Sequence, residues 1–527
     1  MQTATKTLTG SQIIIQTLRN LGLDSIFGYP GGIVLNIYDE LSKQNDIKHY
    51  LMRHEQGAIH AAEGYSKTSG KCGVVLVTSG PGATNLVTGL ANAYLDGTPL
   101  IAITGQVSAE LLHKNSFQEV DIISITKSCT KKNFQVTNAK ELQSTLSEAY
   151  NIAMSGKKGP VLIDITKNVF SEKCEMSDLY VEKVNKPLLM NNLDKAAEAL
   201  NYFSKPVIIA GAGASYKEVQ TLSHKLNIPV VRTMLGFYPQ DDENYIGMVG
   251  IFGQNSANTT VKESDLIFAI GTRLNDRIKC CFNDTPQTII QLNIEPSSIP
   301  ENSISLVGDS KVVLENIIKQ NIKTKSKQWL EYTKNLICKN IEPQKRTNVM
   351  HSFEVMKEIQ KYLKGQYVVT TEVGQHQVWA ARYLNFNEPY KFITSGGLGT
   401  MGFGFPAAIG ASIAQNNSPV VCIAGDGSLQ MNIQELAVCM DYKIPVKVFI
   451  LDNGYLGMVR QFQEKSCDER YFATKISNPD FVKLAESYGA KGYRVEKLED
   501  IKSALDKAFA ENGPVLIDFV VEPMEIL

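Results

Sequence analysis

Short, continuous apolar runs alternate with longer amphipathic stretches along most of the chain. The clearest runs are CGVVLVTSG, PLIAITG, GPVLIDI, KPVIIAGAG, DLIFAIG, SPVVCIAGDG, PVKVFILDN and GPVLIDFVV, at residues 72–80, 99–105, 159–165, 205–213, 265–271, 418–427, 445–453 and 513–521. Runs of this kind are typical of strands that are buried on both faces, as in parallel sheets covered by helices. The pattern therefore predicts an α/β fold built from doubly wound parallel sheets.

Two polar stretches, 171–192 and 319–348, interrupt this alternation and resemble linkers. They divide the chain into three predicted domains, at 1–180, 190–320 and 345–527. Several domains are expected in any case, because a chain of 527 residues is too long for one hydrophobic core. The phrases GPVLIDITK and GPVLIDFVV close the first and third parts, which suggests that these two parts share one topology.

Composition narrows the class of protein but does not identify its chemistry. The chain is 43% apolar and 20% charged, with a net charge of -1, which gives no indication of a nucleic-acid or membrane-surface partner. The nine cysteines are scattered without a CxxC pair, which fits a reducing cytoplasm and argues against a zinc site. There is no signal-peptide pattern and no apolar run of the roughly 20 residues that span a membrane. We expect a cytoplasmic protein.

One strand ends in an unusual way, at Gly425-Asp426-Gly427-Ser428. A second apolar run, VKVFILDN, ends at Asn453. Ligands of parallel sheets bind at the carboxyl ends of strands, and Mg²⁺ prefers a few oxygen ligands together with phosphate oxygens. Ser428 is also placed to cap the following helix, whose N-terminus favours an anion. These residues predict a metal-bridged diphosphate, with an ordinary strand-to-helix turn as the alternative.

A second glycine-rich stretch, GGLGTMG at 396–402, contains a formal GxGxxG pattern. A nicotinamide-binding site would need this pattern directly after a strand, with an acidic residue about 20 positions later. The preceding KFITS fits a short strand, so a dinucleotide site is an alternative at this point.

Many motifs, in the same order, resemble those of the catalytic subunit of acetolactate (acetohydroxyacid) synthase. They are GYPGG (28–32), RHEQGAIHAAEGY (53–65), TSGPGATN (78–85), FQEVD (117–121), GQHQVWAA (374–381), TSGGLGTMGFGFPAAIGA (394–411), GDGS (425–428) and LGMV (456–459). The resemblance covers nearly the whole chain. It implies a pyrimidine-binding domain, a central FAD-binding-like domain and a diphosphate-binding domain.

The resemblance also implies an activity, cofactors and an assembly. Such enzymes decarboxylate pyruvate and transfer the hydroxyethyl unit to a second 2-ketoacid, forming 2-acetolactate in branched-chain amino acid biosynthesis. They use thiamine diphosphate, Mg²⁺ and FAD, the last in a structural role. The implied assembly is a homodimer or homotetramer in which Glu55 of one subunit meets Asp426 of another. A separate regulatory subunit is a further implied partner.

Site residues follow from the resemblance position by position. Asp426, Asn453 and the carbonyl of Tyr455 match the metal ligands. Glu55 matches the glutamate that hydrogen-bonds the aminopyrimidine, and we expect it to be buried and neutral. Gly399 matches the residue whose carbonyl receives that ring, and Met401 the one that bends the cofactor. The other thiamine-diphosphate positions are Val373, Gly374, Gln375, His376, Gly425, Gly427, Ser428, Met431, Leu456, Gly457 and Met458.

The remaining implied residues concern the substrates and the flavin. Gly32, Phe117, Gln118 and Lys131 match catalytic positions, although CTKKNF around Lys131 fits a solvated charge run equally well. Arg277 matches the residue that receives the acceptor carboxylate, and a guanidinium suits that planar group. Met248 and Phe462 match apolar substrate contacts. The flavin positions are Lys157, Gly211, Ala212, Gly213, Thr233, Met234, Leu235, Gly271, Arg273, Asn293, Glu295 and Asp309.

Some positions depart from the family pattern. Phe462 stands where biosynthetic members usually have Trp, Lys157 replaces an arginine, and Asn293 replaces an aspartate. The sequence ends at EPMEIL, about where family members continue with residues that help to close the site. Three alternatives are therefore kept: transfer to a larger polar acceptor such as a keto-sugar nucleotide, decarboxylation without ligation, and an inactive homologue that serves as a binding subunit.

Overall fold

The computed structural model describes residues 6–176, 191–323, 326–340, 343–345 and 347–527. Three six-stranded parallel sheets with flanking helices form its framework. Each of the eight apolar runs quoted above overlaps one of their strands. The predicted fold class is therefore confirmed.

The N-terminal sheet has the strand order β3-β2-β4-β5-β7-β6, and β1 pairs separately with β8. Its strands are β1 Lys6–Thr9, β2 Ser25–Tyr29, β3 Lys48–Leu51, β4 Gly73–Val77, β5 Leu100–Gln106, β6 Lys132–Val136, β7 Pro160–Thr166 and β8 Lys173–Met176. The helices are α1 Gly10–Asn20, α2 Leu35–Ser42, α3 Glu55–Ser69, α4 Pro81–Thr84, α5 Val87–Asp96, α6 Ile122–Thr126, α7 Leu142–Met154 and α8 Lys167–Ser171.

The central sheet has the order β11-β10-β9-β12-β13-β14. Its strands are β9 Pro206–Ala210, β10 Val230–Arg232, β11 Tyr245–Met248, β12 Leu266–Ile270, β13 Thr288–Asn293 and β14 Ile304–Val307. The helices are α9 Leu193–Tyr202, α10 Tyr216–Leu226, α11 Asn255–Glu263, α12 Asp276–Lys279, α13 Ser310–Lys319 and α14 Lys327–Ile337.

The C-terminal sheet has the order β16-β15-β17-β18-β20-β19. Its strands are β15 Val369–Thr371, β16 Phe392–Ile393, β17 Val420–Gly425, β18 Val446–Asp452, β19 Lys491–Val495 and β20 Val515–Val520. The helices are α15 Ser352–Leu363, α16 Gln375–Tyr383, α17 Gly404–Ala414, α18 Asp426–Leu429, α19 Leu436–Asp441, α20 Gly457–Ser466, α21 Phe481–Ser487 and α22 Ile501–Ala510. Counted along the chain, these strands are arranged as in the N-terminal sheet, and the similar phrases occupy β7 and β20. The predicted shared topology is confirmed.

The two stretches expected to be linkers are partly ordered elements. Residues 173–176 form β8, and the second stretch contains α14, whose Trp329 and Leu330 are buried. The indole Nε1 of Trp329 donates to the carbonyl of Pro206 at 2.9 Å, so this helix belongs to the central domain. Residues 177–190 of the first stretch lie outside the described residues. The domain boundaries themselves stay predictions.

The chain divides into two compact units, one comprising Met1–Asn185, Tyr367–Gln377 and Ile393–Met524, the other Lys186–Gln366, Val378–Phe392 and Glu525–Leu527. The first unit contains the N-terminal and C-terminal sheets. Its helices α3 and α17 pack with almost no space between their backbones. A Cβ added at Gly64 would lie 2.0 Å from the carbonyl oxygen of Ala407, and one at Gly410 would lie 1.8 Å from that of Ala61. The close helix pair therefore requires glycine at both positions.

No helix in the described residues is both long enough and apolar enough to cross a membrane.

Candidate functional site

The C-terminal sheet has a crevice where its strand order reverses. From β15 the chain continues to β16 on one side, whereas β17 lies on the other side. In open α/β sheets, ligands bind at the carboxyl ends of the strands that flank such a point. The residues that follow β15 and β17 here are 374–376 and 426–428, so the predicted diphosphate residues lie at the expected edge.

Asp426 is the buried acid of this edge. The parallel pairing of β17 with β18 sets Gly425 opposite Leu451, so Asp426 follows next to Asp452. Oδ2 of Asp426 accepts the backbone N–H of Gly454 at 2.8 Å and Nδ2 of Asn478 at 2.7 Å. Burial raises the pKa of Asp426 to about 7, and the charge of Asp452 adds to that rise. A divalent cation at this carboxylate would favour its ionised form.

Asn453 and Tyr455 form the other side of the predicted metal site. Oδ1 of Asn453 accepts the backbone N–H of Tyr455 at 3.0 Å, which leaves a second lone pair on that oxygen. Backbone pairing of this segment with Thr474 and Lys475 holds it in place, including a 2.7 Å bond from Leu456 N–H to the Thr474 carbonyl. The described residues hold no cluster of three or more His, Cys, Asp or Glu suited to a metal. Asp426, Asn453 and a carbonyl form the mixed oxygen set that suits Mg²⁺.

His376 lies against the turn that contains Asp426. A Cβ added at Gly425 would be 2.5 Å from His376 Nδ1, and one at Gly374 would be 2.7 Å from its Cε1. Burial lowers the pKa of His376 to about 3, and its buried Nε2 has no hydrogen-bond partner among the described residues. A polar nitrogen without a partner, at the start of α16, fits a phosphate oxygen.

Gly457 begins α20 beside the same edge. A Cβ at this position would lie 2.2 Å from Oε1 of Gln375 and 2.8 Å from Nδ2 of Asn453. Nε2 of Gln375 in turn donates to Oε1 of Gln461 at 2.8 Å. Three predicted cofactor residues, Gln375, Asn453 and Gly457, are thus in contact and leave no room for a larger side chain.

An open apolar cavity adjoins the acidic edge. Its lining residues are Met401, Gly427, Gln430, Met431, Leu456, Ile476 and Ser477. Met401, Gly427, Met431 and Leu456 are predicted cofactor positions, so the structure brings them together. The remaining predicted positions, Val373, Gly399 and Met458, lie on the loops that follow β15 and precede α17, and at the start of α20.

A buried carboxylate, Glu372, occupies the N-terminus of α17. Its oxygens accept the backbone N–H groups of Gly402 at 2.7 Å and Phe405 at 3.0 Å, and the hydroxyl of Ser428 at 2.7 Å. The prediction that Ser428 caps the following helix is wrong, because Ser428 lies inside α18, whose N-cap is Gly425. The last glycine of the formal GxGxxG pattern is Gly402, whose backbone N–H donates to the same carboxylate. The pattern therefore offers no free helix terminus to a nicotinamide dinucleotide.

A second cluster of predicted residues lies in the N-terminal domain. Glu55 is the first residue of α3, and its Oε2 accepts Nδ2 of Asn85 at 2.9 Å. A Cβ added at Gly80 would lie 2.7 Å from the carbonyl oxygen of Gln118, and Phe117 is 89% exposed. Glu55 is half-buried rather than enclosed as expected. Within the described part of the chain, no hydrogen bond or ion pair joins Glu55 to Asp426.

Other predicted residues of the N-terminal domain make contacts with neighbouring parts of the same domain. Lys131 donates to the carbonyls of Ile152 and Ser155 at the end of α7, the second at 2.7 Å. The ammonium of Lys157 lies 4.9 Å from the ring centre of Tyr94. Gly32 has open space around it, whereas Gly31 is the residue pressed against Thr78. The catalytic and flavin roles of these residues stay predictions.

The predicted flavin residues of the central domain follow the ends of its strands. The strand order reverses between β9 and β12, where a Cβ at Gly211 would lie 2.4 Å from the carbonyl oxygen of Gly271. Asn293 donates to the carbonyl of Thr272 at 3.0 Å, and Asp309 caps α13 through the N–H of Lys311 at 3.0 Å. The other predicted positions here are Ala212, Gly213, Thr233, Met234, Leu235, Arg273 and Glu295. Gly211 and Gly271 thus bring the loops after β9 and β12 into close contact at the carboxyl ends of the strands, where doubly wound sheets bind ligands.

The predicted substrate residues have different exposures in the single chain. Met248 is buried at the end of β11, and Arg277 is exposed on α12 with its guanidinium 5.9 Å from the ring centre of Phe252. Phe462 is 42% exposed on α20.

Sequence reasoning missed two polar residues of the edge. Asn478 donates from one amide nitrogen to Oδ2 of Asp426 and to Oδ1 of Asp452, the second at 2.8 Å. Glu372 anchors the loop before α17 to Ser428. Neither residue lies in a recognisable spacing pattern, because each meets its partners only in the folded chain.

Comparison with known proteins finds matches along nearly the whole chain. Three family models match: the N-terminal TPP binding domain of thiamine pyrophosphate enzymes at residues 8–125, the central domain at 193–317, and the C-terminal TPP binding domain at 372–519. The acetolactate synthase large subunit of Haemophilus influenzae is 40% identical over 99% of this chain and 96% of its own length. The large subunit of isozyme 2 from Escherichia coli is 37% identical over 98% and 96%. The probable large subunit of Methanocaldococcus jannaschii is 40% identical over 99% and 93%.

Three matching domain models and relatives of this identity, aligned over nearly their full lengths, show that the chain belongs to the thiamine pyrophosphate enzymes and, among them, to the acetolactate synthase large-subunit family.

Proposed function

We propose that this chain forms 2-acetolactate by decarboxylating pyruvate and transferring the two-carbon unit to a second 2-ketoacid. The observation that carries the proposal is the set of oxygen ligands of Asp426, Asn453 and Tyr455, in a chain that aligns with acetolactate synthases along nearly their full length. A keto-sugar acceptor is not favoured, because none of these relatives is named for such an activity. Arg277 is the proposed partner of the acceptor carboxylate.

Thiamine diphosphate and Mg²⁺ are the proposed cofactors of the C-terminal edge. When bound, the thiamine supplies the nucleophilic carbon that accepts and releases the two-carbon unit. Asp426, Asn453 and the Tyr455 carbonyl would hold Mg²⁺, and the buried Nε2 of His376 would meet a phosphate oxygen. Met401 and Leu456 line the apolar cavity beside these groups and would exclude water from the thiamine rings.

Glu55 is the proposed partner of the aminopyrimidine ring. A carboxylic acid in that role must be enclosed, whereas Glu55 is half-buried in the single chain and belongs to a cluster separate from Asp426. We therefore propose a homodimer, or a dimer of such dimers, in which Glu55 of one chain completes the site around Asp426 of another. The largely exposed rings of Phe117 and Phe472 support a covered surface in the assembly.

Three further features belong to the same proposal. FAD is proposed in the crevice between β9 and β12, supported by the close crossing of Gly211 and Gly271. A smaller regulatory partner is proposed because the relatives are named large subunits. A reducing, cytoplasmic location is supported by the nine cysteines, all of which are free thiols.

The experiment is to incubate the purified full chain with thiamine diphosphate, Mg²⁺, FAD and pyruvate and to measure pyruvate loss and acetolactate. Glu55→Gln is the test variant, and Glu110→Gln, an exposed glutamate elsewhere in the N-terminal domain, is the matched control. We expect acetolactate from the wild type and Glu110→Gln, and at least an approximately 100-fold loss in Glu55→Gln. Pyruvate loss that yields acetaldehyde, or no pyruvate loss, would refute the proposed activity.

A further inference from the structure

The segment from Ser395 to Met401, here called the pyrimidine loop, connects β16 to the region before α17. Under the proposed function, on which this inference rests, the Gly399 carbonyl and Met401 meet the aminopyrimidine end of the cofactor. The metal and diphosphate end is held by a different part of the sheet, around Asp426. The contacts of the loop with α5 are distinct from those of Asp426 with Gly454 and Asn478.

One buried hydroxyl closes the pyrimidine loop. Ser395 is 1% exposed, and its Oγ accepts the backbone N–H groups of Gly399 at 3.0 Å and Thr400 at 2.8 Å. Gly399 has φ +79°, in the left-handed region that favours glycine, so the backbone turns sharply at this point. The two bonds set the peptide groups on both sides of Gly399.

The hydroxyl of Ser395 is oriented by the N-terminal domain of the same chain. It donates to Oδ1 of Asn92 on α5 at 2.5 Å, and Oγ1 of Thr400 donates to the same oxygen at 3.2 Å. Nδ2 of Asn92 donates to Oε2 of Glu63 at 2.7 Å, whose Oε1 lies 2.9 Å from Nδ1 of His60. All of these side chains are buried. Because Glu63 accepts from the amide nitrogen, the amide oxygen must face the loop.

A second bond from α5 anchors the beginning of the loop. Oδ1 of Asp96 accepts the backbone N–H of Gly397 at 2.7 Å, and its Oδ2 is paired with the ammonium of Lys67 at 2.7 Å. Asn92 and Asp96 are one helical turn apart, so they present their oxygens from the same face of α5. The loop is thus held at Gly397 and at Gly399–Thr400 by one rigid element.

We propose that Ser395 is a positioning residue of the pyrimidine loop. Together with Asn92, it places the Gly399 carbonyl and Met401 for the aminopyrimidine end of the cofactor, without contributing to the metal and diphosphate end. Loss of its hydroxyl leaves the N–H groups of Gly399 and Thr400 without this acceptor, and because the bond from Thr400 is buried, the loop rearranges to satisfy it. Binding that depends on the pyrimidine ring then weakens, whereas binding that depends on the diphosphate alone is retained.

The matched control is Ser412→Ala. Ser412 is also a buried serine of this unit, and its hydroxyl donates to the carbonyl of Ser418 at 2.7 Å, outside the pyrimidine loop. Ser395→Ala and Ser412→Ala thus each delete one buried serine hydroxyl. A general loss of stability would affect both variants, whereas a positioning role affects only the first.

The experiment measures two quantities in the full-length wild type, Ser395→Ala and Ser412→Ala. The first is hydrogen exchange of the peptide that covers residues 395–402 without cofactor. The second is the Kd of thiamine diphosphate with Mg²⁺, together with that of inorganic pyrophosphate with Mg²⁺. For Ser395→Ala we expect faster exchange in the loop, thiamine-diphosphate binding weakened about 10-fold, and pyrophosphate binding within about 2-fold of wild type. Ser412→Ala should match the wild type in all three.

Equal effects of the two variants, or an unchanged exchange rate and Kd in Ser395→Ala, would overturn the positioning role. A weakening of pyrophosphate equal to that of thiamine diphosphate would also overturn it. If Ser395→Ala does not fold, Asn92→Ala tests the same link with Ser395 in place and carries the same expectations. If the wild type binds no thiamine diphosphate, the proposed function fails, whereas the exchange comparison still decides whether Ser395 holds the loop.

Discussion

Asn478 offers a sharp test of the predicted metal edge, because one amide nitrogen serves both acids. It donates to Asp426 at 2.7 Å and to Asp452 at 2.8 Å, and hydrogen bonds to charged groups contribute about 1.5–3 kcal/mol each. In Asn478→Ala, water would restore part of this hydrogen-bond free energy, because the site is half-buried. Removing a residue that hydrogen-bonds to a metal ligand typically weakens metal binding about 10–100-fold, which corresponds to about 1.4–2.7 kcal/mol. We expect a loss within that range.

The loss should also depend on pH. Burial raises the pKa of Asp426 to about 7, and the bond from Asn478 opposes that rise. Removing the amide raises the pKa further, so protons compete more strongly with Mg²⁺ for the carboxylate. The affinity lost in Asn478→Ala should therefore be larger at pH 6.5 than at pH 8.

The assay is calorimetric titration of Mg²⁺ into protein saturated with thiamine diphosphate, at both pH values. The control is Asn201→Ala, which removes a half-buried asparagine of the central domain that also makes two hydrogen bonds, to Ala197 and Lys323. An Mg²⁺ affinity of Asn478→Ala within about 2-fold of wild type would refute the reasoning.

Two further predictions concern stability. Burial raises the pKa of Glu435 to about 7, so the unfolded chain loses this proton first and the stability of the fold falls as the pH rises from about 4.5 through 7. Glu435→Gln should therefore match the wild type at pH 5 but be up to about 3 kcal/mol more stable at pH 8. An equal Tm difference between the two proteins at both pH values would contradict this. Gly410→Ala should destabilise the protein by about 1–3 kcal/mol or more, because the added methyl group separates α3 from α17. Gly513→Ala, where the methyl group would enter open space, should leave the stability unchanged, and similar chemical-unfolding midpoints for the two variants would contradict the close helix contact.

The framework and the ligand edge were predictable because their signals are local. Apolar runs indicate buried strands, and residues such as Asp426 and Asn453 follow directly at the strand ends, where parallel sheets bind ligands. Helix α14 could also have been predicted from the sequence. Its buried residues Trp329, Leu330, Thr333 and Leu336 have helical spacing, but the charged residues between them led to the interpretation of a linker.

Contacts between distant segments were not predictable from spacing. Asn478 meets Asp426 across 52 positions, and Glu372 meets Ser428 across 56. The cap expected from Ser428 failed because the helix begins earlier, at Asp426, so that Ser428 lies within its single turn. The partial exposure of Glu55 is a property of the single chain that no sequence pattern expresses.

The central claim is that acetolactate forms at a site shared by two chains, and subunit complementation tests it most directly. Glu55→Gln and Asp426→Asn are each expected to be inactive alone, because each substitution removes one required carboxylate from every site of the dimer. Mixed dimers formed by unfolding and refolding together would contain one site with both residues intact. Random pairing predicts about a quarter of the wild-type rate of acetolactate formation from pyruvate. No activity in the mixture, with mixed dimers verified by mass, would contradict a shared site.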